Sequence, residues 1–524
     1  MKSIYKPFVY LLLWLVLLGT VAFGEETVLR IGTTNMVQSA NAFGDYYLTI
    51  FTKISNLTLF RMNARGELVG QLVTGYQVSA DNTTWHFEIA DDLVWSDGTP
   101  LTAADVCFSM EYYARHDPQA GWLKETLVET HCRGNEATLK FNKPYNNLDL
   151  EFTSFNILPS HIWSRIEAPL QYRNTGAYVG SGPFYLAGVD LNAGVLTFKK
   201  NPYWRRQAPQ VDKIEIHLYQ NEDVIALALE RGHIDTYYKY AGSYPYHNVG
   251  RLEKTGRFDI LHQMNTGLLF LGFNVQAGYL TDINLRRALS YAIDYGEILK
   301  IDALGYGRVP GRGFVSPAMD GYVDLGPLTF DREEAARLLA AAGYVDINRD
   351  GWREDPGGKK MTLVLAARSE YSRVVELLQD YLAKVGIAVQ VRLVDQTTWV
   401  SLKDRYAYDL TITRTTPWGM LMHAGWGTGY YDSRRTGAGV LHTVADPTYL
   451  ALCDKLLHTT DAALKQKLAR EVQEYYAANL PGLALVWPEI VTPVSRSWQG
   501  WEPDPLFGIY NVATMVNLRK VGSR

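Results

Sequence analysis

Few residues in this chain have the types and spacing for bond-making or metal chemistry. The clearest candidate is DINRDGWRED, Asp346 to Asp355. Asp346, Asn348, Asp350 and Gly351 match the start of a calcium loop, in which alternating oxygens converge on a hard cation and a glycine makes the sharp turn. Such a loop closes on a bidentate Glu at its twelfth position. Here that position is Gly357, so a hairpin turn is the expected structure. No GxSxG elbow occurs, and Gly180-Ser181-Gly182 lacks its spacing. No HExxH motif is present. Cys107, Cys132 and Cys453 make no CxxC or Cys/His cluster of zinc type. Cys107 and Cys132 are the nearer pair for a single disulfide in an exported protein, with three free buried thiols as the alternative. An exported hydrolase therefore has no constellation to support it.

The elements that carry these residues belong to a long, soluble-type chain. Its 524 residues exceed what one hydrophobic core usually organises, about 250–300 residues. Two or three lobes are expected. The composition is 47% hydrophobic and 20% charged, ordinary for a globular protein. The net charge of −4 argues against a nucleic-acid surface, which needs clustered Lys and Arg. Thirteen Trp and 34 Tyr supply aromatic area for a pocket or for cores.

At the N-terminus, Lys2 and Lys6 precede the apolar run Phe8 to Leu18, and Ala22 and Gly24 follow two apart. That order describes a secretory signal peptide over residues 1–24, with a periplasm-like destination. The run is short for a membrane span of about 20 residues. No Cys lies near the exit, so no lipid anchor is expected.

Strand-like and helix-like segments alternate along the rest, which predicts α/β lobes. Thr27–Gly32, Thr84–Ile89, Val195–Lys199 and Ile214–Leu218 read as strands. Thr102–Ala114 reads as a helix capped by Thr102 with Asp105 in its first turn. Further helices are predicted over Asp223–Arg231, ended by Gly232, and over Ile283–Ile293, Asp331–Ala342 and Ala462–Ala478. Arg286 lies four residues from Asp282, as an i,i+4 ion pair would. Thr362–Ala366, Tyr371–Val385 and Ala388–Val394 form a βαβ unit. The strand supply changes character near Leu268–Asn274 and Leu483–Trp487, which are the candidate crossings between lobes.

Five ordered motifs resemble solute-binding protein family 5, the dipeptide, oligopeptide and nickel receptors of ABC importers. They are WSDGTPLTAADVCFS (Trp95–Ser109), GSGPFYL with KNPYWRRQAPQVDKIEI (Gly180–Leu186, Lys200–Ile216), ALERGHID (Ala228–Asp235), GFNVQAGYLTDINLRRALSYAIDY (Gly272–Tyr295) and LLAAAGYVDINRDG (Leu338–Gly351). The likeness runs from about residue 27 to the C-terminus. It implies an α/β, two-lobed periplasmic binding protein fold with an extra N-terminal subdomain and a hinge. The expected division is 25–59 with 174–268 and 488–524 as lobe I, 60–173 as the extra subdomain, and 269–487 as lobe II. The motifs themselves serve turns and helix ends.

The resemblance places the ligand contacts in Thr413–Gly437, TRTTPWGMLMHAGWGTGYYDSRRTG. Two alignments compete there. If Arg414 matches the nickel receptors' Arg, His423 takes the place of their metal-ligating His, and neutral imidazole suits nickel. If Tyr431-Asp432 matches instead, Asp432 meets an ammonium and Arg434 or Arg435 a carboxylate. Trp418 and Trp426 would stack against the ligand. The implied ligand is a peptide, with nickel or a metal chelate as the alternative and a sugar as a third possibility. The implied partners are membrane permease subunits. A monomer is expected, with no resident cofactor and no catalysis. Signalling or chaperone use of the same fold is the other non-enzymatic reading.

Overall fold

The computed structural model describes residues 26–146, 148–173, 178–319, 321–415 and 443–522. The proposed signal peptide therefore lies outside the described residues. Among the described residues, no helix is long and apolar enough to cross a membrane.

A twelve-stranded sheet system organises the fold. On one side, Val28–Thr33 pairs in parallel with Lys213–Leu218, which continues antiparallel to Val195–Lys200 and Phe184–Asp190. On the other, Leu269–Phe273 pairs antiparallel with Leu410–Arg414, which lies parallel to Thr362–Arg368. Thr362–Arg368 and Ala388–Val394 are parallel, and the helix Ser372–Ala383 joins them as the predicted βαβ unit. Parallel neighbours need such a crossover helix.

One 14-residue strand, Gly482–Ser495, belongs to both halves. Its N-terminal part pairs with Leu269–Phe273 and its C-terminal part with Phe258–Met264. The segment Leu483–Trp487, expected to be a crossing, lies inside this strand, which continues unbroken through it. Its first seven residues are buried, as a strand covered on both faces should be. Pro488 sits between the two pairings, where a residue without an N–H costs least. The other crossing is the short link Asn265–Leu268, just ahead of the segment expected from sequence.

Separate cores form on each side. Leu269, Leu363, Leu378 and Leu485 share one, and Leu29, Phe184, Ile216 and Tyr510 another. A further core, from Leu57 through Trp163, fills a subdomain whose four-stranded sheet runs Val73–Val78, Thr84–Ile89, Glu136–Phe141, Leu127–Arg133. The helix Ala103–His116 packs there. The Thr102 N–H donates to Asp105 Oδ2 at 2.9 Å, completing the expected cap. A Cys107–Cys132 disulfide ties this helix to the sheet, with Cα atoms 6.2 Å apart, and Cys453 takes no part in it.

Two motif readings take their final form in the fold. The glycines of GSG are required by close backbone contact: a Cβ on Gly180 would sit 2.4 Å from Ser55 Oγ, and one on Gly182 would sit 2.4 Å from the Ile54 carbonyl oxygen. Arg286 does not form the expected ion pair with Asp282. Its guanidinium instead donates to the carbonyl oxygens of Asn479, Leu280 and Thr281 at 2.7–3.0 Å. Asp282 caps its helix by accepting from the Asn284 N–H. The nearer backbone donors satisfy the carboxylate, and the buried guanidinium needs several acceptors.

Candidate ligand-binding cleft

Trp418, His423, Trp426, Asp432, Arg434 and Arg435 lie outside the described residues. The two ends of their segment are described, and both are stitched to one short strand. Thr415 exchanges two hydrogen bonds with Leu268: Thr415 N–H to the Leu268 oxygen at 3.0 Å, and Leu268 N–H to Thr415 Oγ1 at 2.9 Å. At the other end, Thr443 Oγ1 accepts from the Val275 N–H at 2.8 Å, and the Thr443 oxygen accepts from Gln276. The two described ends are thus held on opposite sides of Leu269–Phe273, Thr415 at the crossing link and Thr443 beyond Phe273. Gly267 permits this: a Cβ there would approach the Thr415 oxygen to 2.4 Å.

Arg414 is the one sequence-predicted site residue that is described. It ends the strand Leu410–Arg414, and its Nη2 donates to Asp302 Oδ2 at 2.6 Å. Asp302 is mostly buried and Arg414 about a third exposed. Burial opposes the guanidinium charge, but the Asp302 carboxylate, with Tyr371 and Tyr246 nearby, more than compensates. Arg414 therefore stays cationic, and any ligand anion reaching it must share it with Asp302.

Sequence reasoning missed the groups around it. The Tyr246 ring stacks on Tyr306, with centroids 5.0 Å apart and planes 9° apart. Its hydroxyl donates to the Glu489 carbonyl oxygen at 2.5 Å. His262 lies against the same Tyr306 ring and within 3.2 Å of the Glu489 carboxylate. Burial pushes the Tyr246 and Tyr371 hydroxyls up to about 12, so both remain neutral donors. Arg368 Nη2 donates to the Tyr371 hydroxyl at 2.5 Å, and its guanidinium lies over the Trp399 ring. The arrangement is a tyrosine-rich collar with paired cations beside the crossing strands. It can bind and orient polar groups. Its joining contacts, such as Arg414 with Asp302, 112 positions apart, and Tyr246 with Glu489, 243 apart, are long-range, so no local signal could have assembled them.

Two other features carry less. A cavity of about 270 Å³ opens between Arg61, Gln71, Trp204, Arg206, Glu502 and Asn517, and none of its lining residues belongs to the crossing. The DINRDGWRED loop brings Asp346, Asp350 and Glu354 within 4.8 Å of one another. Their oxygens accept from the loop's own amides, Ile347 to Glu354 and Gly351 to Asp346 among them. Backbone bridges from Glu354 to Val345 and Lys360 make it the expected turn.

The sequence profile of bacterial extracellular solute-binding proteins, family 5, matches residues 67–437. This chain belongs to that family. As a family 5 protein it is a binding protein and not an enzyme. It is similar to the glutathione-binding protein GsiB of Pectobacterium atrosepticum, 23% identical over 94% of this chain and 96% of the relative. Among solved structures, the NikA protein of Brucella suis in complex with Fe(III)-EDTA aligns with TM-score 0.81 and 19% identity, over 94% of this chain and 100% of the other. The oligopeptide-binding protein AppA of Bacillus subtilis, in complex with a nonapeptide, aligns with TM-score 0.78 and 18% identity, over 95% and 100%. These likenesses establish the two-lobed periplasmic binding protein fold for the family 5 chain.

Proposed function

We propose that this chain is the exported ligand-capturing component of an ABC importer and that its ligand is a short peptide. Residues 1–24 direct export, and the mature protein works as a monomer in a periplasm-like space. Residues 25–59, 174–268 and 488–524 form one closing lobe and 269–487 the other, with 60–173 riding on the first. Closure buries the ligand and creates the state that permease subunits distinguish from the open form.

The carrying observation is the near full-length likeness to a glutathione-binding protein, since glutathione is itself a short peptide with carboxylate and ammonium ends. The candidate residues suit such a ligand: Asp432 for the ammonium, Arg434 or Arg435 for a carboxylate, Trp418 and Trp426 as walls. Arg414 agrees with this reading, because it stays cationic but already faces the Asp302 carboxylate, which leaves the segment's own arginines for the ligand.

A metal chelate is the second reading. It is favoured by the likeness to a NikA protein holding Fe(III)-EDTA and by His423 in the segment. In that case the metal is cargo and His423 its protein ligand.

Native mass spectrometry of the mature protein, with its bound ligand released and identified, separates them. A peptide, or saturable binding of glutathione by calorimetry, supports the first reading. A nickel- or iron-bearing complex whose binding is lost in His423→Ala overturns it in favour of the second.

A further inference from the structure

The two halves of the molecule meet at the crossing strands and again at a second place distant in sequence. The helix Pro447–His458 follows the candidate ligand segment and belongs to the second half. Near its end, two consecutive residues are buried in different cores. Leu456 packs with Phe270, Phe314 and Trp487 of its own half. Leu457, 2% exposed, packs in the subdomain core with Trp85, Phe141 and Phe152. A helical step of about 100° turns adjacent side chains toward different bodies.

Polar contacts surround Leu457. The Asn146 N–H donates to the Leu457 oxygen at 3.1 Å, and Asn146 Nδ2 donates to the Leu456 oxygen. His458 Nδ1 lies 2.9 Å from the Pro144 oxygen, and its ring packs on Tyr145 at 5.0 Å. Asn82 Nδ2 donates to Thr460 Oγ1 at 2.8 Å. No covalent path joins these groups locally: Asn82 and Thr460 are 378 positions apart. A rotation of one half against the other at Asn265–Leu268 and the Gly482–Ser495 strand changes this contact, because it bridges the two bodies through residues outside both crossings.

We infer that the end of the Pro447–His458 helix is a closure latch, with Leu457 as the positioning residue that seats lobe II against the extra subdomain. The helix that carries it begins at Pro447, four residues beyond Thr443, whose hydroxyl accepts from the Val275 N–H of lobe II. Through this contact the extra subdomain biases lobe closure, and with it ligand capture. The inference rests on lobe closure as proposed above, but not on which ligand is bound.

The test uses the unliganded full mature chain with a fluorophore pair, one dye on the subdomain and one on lobe II. Leu457→Ala is expected to raise the open-to-closed ratio about tenfold or more, the loss of one buried leucine contact. Leu457→Met is expected to restore it. Leu456→Ala, which opens a void in lobe II's own core, is expected to lower the melting temperature without moving the ratio. Amide exchange in the unmodified chain is independent of any variant. The Asn146 amide should exchange by partial opening, faster than amides of the Thr84–Ile89 strand. Equal ratios in Leu457→Ala and Leu456→Ala, or an Asn146 amide that exchanges only by global unfolding, would overturn the latch. Either result leaves the ligand found by mass spectrometry unaffected.

Discussion

Lys53 and Arg414 are both cations removed from much of their water, and the molecule treats them oppositely. Lys53, on the short helical turn Thr52–Ile54, pairs with no carboxylate among the described residues. Its ammonium donates to the Thr153 and Ser154 oxygens at 3.1 and 2.7 Å, and burial lowers its pKa to about 7. Asp504, in the same part of the molecule, is pushed up to about 7 by burial, even though it accepts from the Leu506 and Phe507 amides. Beside the crossing, Arg414 keeps its charge because Asp302 faces it at 2.6 Å. Carbonyls alone hold a buried ammonium only partly ionised, whereas a carboxylate holds a guanidinium fully so. The neutralisable charges thus serve packing, and the persistent charge stands where a polar ligand is expected.

The contrast is broken most directly by removing Asp302. Asp302→Ala leaves the guanidinium without its carboxylate and should cost about 1–3 kcal/mol, reduced from the fully buried case because Arg414 is partly exposed. Urea unfolding reads it. The double variant Asp302→Ala/Arg414→Met should recover part of the loss, and no recovery would mean that the pair is not coupled.

Next come the two pH arms. Asp504 binds its proton more tightly folded than unfolded, so between about pH 4 and 7 the folded state holds the extra proton and stability falls as pH rises. Lys53 binds its proton less tightly folded, so between about pH 7 and 10 the unfolded state holds the extra proton and stability rises with pH. Each arm has a slope of at most about 1.4 kcal/mol per pH unit. Asp504→Asn should reduce the acidic slope, to which the buried Glu151 carboxyl also contributes, and Lys53→Met should reduce the alkaline slope, measured as urea midpoints at pH 5, 7 and 9. A slope left unchanged by its own variant would remove that residue from the account.

A smaller effect is expected at Arg286, which is held by carbonyls like Lys53 but cannot lose its proton. Arg286→Lys forfeits part of a three-acceptor arrangement and should cost about 1–2 kcal/mol by thermal unfolding. The smallest is at Arg65 and Glu67, a fully exposed pair in a surface turn. Arg65→Ala should leave the melting temperature unchanged within error, since exposed pairs contribute little.

Local elements were legible in the sequence because their causes are local. The Thr102–Asp105 cap, the Gly232 stop and the Ala388–Val394 strand each need only a few adjacent residues to specify them. Helices predicted over Ile283–Ile293 and Ala462–Ala478 are found at Ile283–Ala292 and Ala462–Asn479. The crossing was legible only in part. Leu483–Trp487 reads as a strand, but nothing in those residues says that it continues through Pro488 into a second pairing. Of the candidate site, only Arg414 could be followed into the structure.

By itself, then, the sequence determined the family, the α/β alternation and the caps and turns that punctuate it. These follow from propensities and patterns that act over a few residues. The tertiary structure alone decided that Asp302 would hold Arg414, that Arg286 would go to carbonyls instead of Asp282, and that Leu456 and Leu457 would enter different cores. Each of those outcomes depends on a partner brought close by the path of the chain, and burial raises the cost of leaving a charge or donor unmatched until the nearest available group is taken.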